Sequence, residues 1–111
     1  MRLAIGVFSA CLIAGGCTPR EDPSITAIDP LNSIPAIQEA ARQKDRRAIP
    51  ALVHQLDNDD PAIRFYSISA LRDLTGQTFG YHYFGTTEER KPSVRQWQDW
   101  LRASKGTYWA Q

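Results

Sequence analysis

The sequence predicts an all-α fold of about four short helices packed as antiparallel hairpins, with an aromatic-rich loop before the last helix. Two apolar stripes carry this expectation. Ile49, Leu52, Val53 and Leu56 fall at i, i+3, i+4 and i+7, and Ile63, Tyr66, Ser67, Ala70, Leu71 and Leu74 repeat that spacing over three turns. The acidic run from Asp57 to Asp60 separates them. Asp60 is placed to accept an amide hydrogen bond as N-cap. Pro61 suits the first helical position, where no amide donor is needed, and Gly76 suits a left-handed C-cap.

Residues 1–16 read as a signal peptide. Arg2 supplies a positive start, and Leu3 to Ala14 form an uncharged, mostly apolar stretch, of signal length and short for a membrane span. LIAGGC, ending at Cys17, resembles a bacterial lipobox, with Ala14 where Leu is the common residue. The resemblance implies cleavage before Cys17, lipid transfer to its thiol and acylation of the freed amine. Cysteine usage agrees, because Cys11 lies in the segment to be removed and Cys17 is then left without a disulfide partner. Thr18, rather than Asp, follows Cys17, which by the enteric sorting rule favours the outer membrane. The expected address is therefore the bacterial cell envelope, periplasm-facing, with the membrane reached through lipid on Cys17.

Residues 17–31 read as a flexible tether. Pro19, Pro23 and Pro30 break any helical pattern. A dozen flexible residues reach roughly 20 Å, which holds the domain close to a bilayer. The helical domain is expected over residues 32–105, followed by a tail at 106–111. With Arg2 removed, twelve basic side chains balance twelve acidic ones, which argues against nucleic acid as a partner.

Ser33 or Asn32 can cap the first helix, with Pro35 in its first turn, Ile34, Ile37 and Ala41 on its apolar edge, and an end near Lys44. Arg42, Lys44, Arg46 and Arg47 cluster at the next turn and read as a solvated corner, with Asp45 as the next N-cap. Pro50 either kinks the second helix or delays its start to about Arg47 or Ala48. The acidic turn lacks the glycine and the twelfth-position acid of a calcium loop, so capping explains it. Phe79, Tyr81 and Tyr83 alternate between Gly76, Gly80 and Gly85, as in a short extended segment. With Phe84 they form either a recognition loop or a lid over the helical stack. The last helix carries Val94, Trp97 and Leu101 on one stripe. It starts near Pro92, or earlier at the Thr86–Glu89 capping box with a bend at Pro92. Trp97 belongs to the core, and Trp100, at the stripe's edge, is either a core seal or an exposed anchor.

The hairpin from Ala48 to Gly76, with Pro50, the acidic turn, Pro61 and Arg64, resembles a HEAT repeat. LTGQTFGY (Leu74 to Tyr81) followed by VRQWQDWL (Val94 to Leu101) resembles the end of short HEAT-like bacterial lipoproteins. The resemblance covers roughly residues 31–103 and implies an α-solenoid fragment. It also implies that Arg64 packs along the stack and bonds acidic groups of the neighbouring turn. HEAT repeats are protein-binding scaffolds, and their relatives include the phycobilin lyases.

Catalytic signals are missing from the sequence. His54 and His82 have no cysteine, second histidine or carboxylate at ligand spacing, and no nucleophile elbow, phosphate-binding glycine loop or dinucleotide fingerprint occurs. No enzyme, metal or cofactor is expected. The expected function is protein binding or scaffolding, toward an unidentified protein partner, through Phe79, Tyr81, Tyr83, Phe84 and Trp100. The alternatives are an envelope structural protein that self-associates into a homo-oligomer, since one hairpin leaves the ends of the stack uncovered, or a chromophore-attachment factor like the lyases.

Overall fold

A computed structural model describes residues 24–104. The signal peptide, Cys17 and the tail lie outside the described residues. Four α-helices follow in order: α1, Pro30–Arg42; α2, Ile49–Gln55; α3, Pro61–Thr75; and α4, Thr87–Ala103. A 3-10 turn, Arg46–Ala48, leads into α2. Among the described residues there is no strand, and no helix is long and apolar enough to cross a membrane.

The first helix starts earlier than its sequence pattern indicates. Asp29 is the N-cap, its carboxylate accepting from the Leu31 amide at 2.9 Å, and Pro30 occupies the first turn. An acidic cap followed directly by proline is a stronger start than Ser33 or Asn32, since proline has no amide to leave unpaired. Ser33 is instead fully buried along with Ile37. Packing reaches back further, into the stretch read as tether. Ile25 lies against the core, Ala27 is buried, and the Gln55 side-chain amide donates to the Ile25 carbonyl.

The corner between α1 and α2 is built on Lys44 and Asp45. Lys44 has φ +54°, a left-handed conformation usually held by glycine. Its amide bonds the Ala41 carbonyl and the Asp45 amide bonds the Ala40 carbonyl, the paired closure of a Schellman cap. Asp45 then caps the 3-10 turn through the Arg47 amide, as its place in the sequence predicts. The turn takes up the residues before Pro50, so Pro50 lies at the start of α2 and causes no kink. Arg46 reaches across and donates to the Leu74 carbonyl at 2.6 Å, closing an otherwise unpaired acceptor at the end of α3.

The second hairpin follows the sequence reading closely. Ile49, Leu52, Val53 and Leu56 are buried on one side; Ile63, Ser67, Ala70, Leu71 and Leu74 face them from the other. Asp60 caps α3 through the Ala62 amide at 2.8 Å, and Gly76 ends it at φ +76°. Asn58 Oδ1 accepts from the Asp60 amide at 2.8 Å and tightens the acidic turn.

The last helix takes the earlier of its two expected starts. Thr86 Oγ1 accepts from the Glu89 amide at 3.2 Å, and Pro92 lies within the helix. Trp97 is fully buried. α3 packs against both α1 and α2, and α4 contacts α2.

The Lys44 conformation is a correctable cost. Lys44→Gly should raise stability by about 0.5–1 kcal/mol, because glycine occupies the left-handed region without Cβ strain. Chemical denaturation with an unchanged m-value is the check.

Candidate functional site

The site grows from Arg64, on the first turn of α3. Its guanidinium is buried and is held by backbone carbonyls alone. Nε donates to the Tyr83 carbonyl at 2.8 Å; Nη1 donates to those of Asn58 at 2.8 Å and Asp59 at 2.9 Å. The resemblance to a HEAT repeat implied bonds to acidic groups, and the structure corrects this. The carboxylates of the turn carry out capping or face solvent, whereas the turn's carbonyls point inward and need a donor. Arg64 thereby joins the acidic turn to the aromatic loop nineteen residues further on.

The loop is not an extended segment. Two consecutive β-turns form it, Thr78–Tyr81 and His82–Gly85, each closed by an amide-to-carbonyl bond of 3.1 Å. Phe79 and Gly80 have φ of +51° and +69°, the positive pair of a type I′ turn. A bulky aromatic residue in that region is strained and persists only where its surroundings fix it. The Phe79 ring stands edge-on to Trp97, with centroids 4.7 Å apart, and the Trp97 indole donates to the Thr78 carbonyl at 3.2 Å. The glycine spacing that mimicked strand alternation therefore marks two turns.

Tyr81 is the lid of the loop. It is buried, and its hydroxyl donates to the Leu56 carbonyl at 2.6 Å, closing the C-terminal end of α2. Burial pushes its pKa from 10 to about 12, against the pull of Arg90 and Arg64. Arg90, also buried, donates to the Gly85 carbonyl and anchors the far end of the loop.

The five residues predicted to bind a partner are thus divided. Tyr81 is buried and offers little surface. Phe79 and Trp100 flank Trp97, and Trp100 is half-buried with its ring 5.7 Å from that of Trp97. Tyr83 and Phe84 lie on another side. Tyr83 stands edge-on between Phe65, at 5.1 Å, and Phe84, at 5.3 Å, and His82 lies 5.3 Å from Phe84. Phe84 is 71% exposed and Phe65 42%. Phe65 was missed in the sequence because it falls off the core stripe of α3. With Ile68, Ser69 and Arg72 it forms a second stripe at i, i+3, i+4 and i+7, and that periodicity could have revealed it. Between this stripe and the loop lies a groove of about 240 Å³, lined also by Thr78, Tyr81 and Tyr83.

Among the described residues, no three metal-ligating side chains cluster. Comparison with protein-family models, curated proteins and solved structures finds no match.

Ionisation of Tyr81 should couple to folding. The folded state holds the phenolic proton more tightly than the unfolded chain, so the contribution of this group to stability is constant below pH 10 and is lost between pH 10 and about 12. Tyr81→Phe should remove this dependence and cost about 1–2 kcal/mol at neutral pH, by taking away the donor to Leu56. Denaturation at neutral and alkaline pH, with tyrosinate absorbance, measures both.

Proposed function

We propose that the protein is a membrane-tethered lipoprotein that binds a protein partner through a HEAT-like helical stack and has no catalytic role. The observation that carries this reading is the edge formed by Phe65 of α3 with Tyr83 and Phe84, which sets aromatic rings on a helix and on a loop anchored at several points. Rigid aromatic surface is the usual anchor of a protein interface, because little side-chain entropy is lost on binding. The pairing of α1 with α3 and of α2 with α4 supports the HEAT-like reading, since stacked hairpins pack like helices on like. The lipid anchor rests on the sequence around Cys17, and it would raise the local concentration of the domain toward partners at the envelope.

Self-association is a second reading. Ile28 and Leu31 are 93% and 81% exposed around the start of α1, and the same helix borders a cavity of about 620 Å³ whose lining mixes Ile25, Pro35 and Ala36 with Glu39, Arg42 and Gln43. In a longer solenoid this end would receive another helix.

In-cell photo-crosslinking from position 84 distinguishes the two. The first reading expects a stoichiometric foreign protein, lost when Cys17→Ala removes the anchor. Crosslinks to the protein itself alone would favour self-association, and an absence of crosslinks from position 84 would overturn the aromatic edge as the binding surface.

A further inference from the structure

The groove beside the aromatic edge has a chemical polarity. Phe65, Ile68 and Tyr83 give it apolar walls, and Ser69 and Thr78 contribute hydroxyl-bearing residues to its lining. Arg72 also lines it and is exposed. Among the described residues Arg72 makes no side-chain hydrogen bond and no ion pair, whereas Arg42, Arg47, Lys91 and Arg102 each have an acidic partner nearby. The lining contains no carboxylate. The groove therefore joins apolar walls to a single cationic group. A volume of about 240 Å³ is too small for an ordinary ligand or cofactor and suits a single side chain.

We propose that this groove receives an extended segment of a partner protein carrying an apolar side chain and, two residues away, a side-chain carboxylate. The apolar group seats between Ile68 and Tyr83, and the carboxylate meets Arg72. The spacing follows from geometry. Ile68 and Arg72 are one helical turn apart, about 6 Å along α3, and residues i and i+2 of an extended chain lie on one face roughly 7 Å apart. The guanidinium supplies a planar fork for the carboxylate, and its position beside Ile68 rather than at both ends of the groove sets the orientation of the segment. The inference deepens the protein-binding reading above and rests on it.

The test is an amide-resolved NMR titration of the full chain with acetyl-GFGEG-amide and its uncharged twin acetyl-GFGQG-amide. The expected result is saturable shifts confined to Phe65–Arg72 and Thr78–Tyr83, about fivefold weaker binding of the glutamine peptide, and equal weak binding of both to Arg72→Gln. Equal affinity of the two peptides for the unaltered protein would overturn the proposal. So would shifts confined to His82 and Phe84, although that outcome would leave the aromatic edge standing as a binding surface. Shifts at groove residues that follow protein concentration without peptide would assign the groove to a second copy and likewise overturn it. An absence of shifts with either peptide overturns it too, while the crosslinks from position 84 decide the broader reading separately.

Discussion

Arg64 bears most directly on the arrangement of the turns. One guanidinium satisfies carbonyls of Asn58, Asp59 and Tyr83, so the turn that starts α3 and the loop that precedes α4 are fixed to the same point. Burying a cation without a carboxylate beside it costs several kcal/mol, and three charge-assisted hydrogen bonds in the planar geometry of arginine offset that cost. A lysine could not reproduce the fork, so the position is specific to arginine. The described ion pairs are mostly solvent-exposed, such as Glu39 with Arg42 and Asp99 with Arg102, and each contributes only a few tenths of a kcal/mol.

The same device recurs at four other carbonyls near helix ends and turns. Tyr81 closes the Leu56 carbonyl, Arg46 that of Leu74, Trp97 that of Thr78 and Arg90 that of Gly85. In a chain this short the helices alone bury limited apolar surface. Side chains that reach backbone acceptors in the turns hold the loop against the helices. They also account for the strained Phe79 conformation, which the Trp97 contact and the Thr78–Tyr81 turn maintain. The aromatic edge is thereby presented on fixed backbone, and the groove is bounded by α3 on one side and this loop on the other.

Helix periodicity and caps were legible because they are local. The stripe from Ile63 to Leu74, the Asp60–Pro61 start, the Gly76 end and the Thr86–Glu89 box each depend on residues within a few positions of one another. Contacts that join distant parts of the chain were not legible. Nothing local indicates that Arg64 reaches Tyr83, or that Gln55 returns to Ile25. The first helix was placed late for a related reason: Asp29-Pro30 is a strong start, but its position after several prolines disguised it as linker. For the site, the loop's aromatic content marked the right region. Only packing separates buried Tyr81 from exposed Phe84, and only the second stripe of α3 brings in Phe65 and Arg72.

If Arg64 fixes the loop to the helical stack, loop opening should be as rare as opening of the core. Native-state hydrogen exchange measures this at the Tyr81 and Gly85 amides, which close the two loop turns, against the Leu71 amide in α3. The account predicts that all three are protected to a similar degree in the unaltered protein. It also predicts that Arg64→Lys lowers protection of the two loop amides at least about tenfold more than that of Leu71, equivalent to roughly 1.4 kcal/mol of selective loosening. Loop amides that already exchange rapidly in the unaltered protein, or that follow Leu71 in the variant, would contradict it.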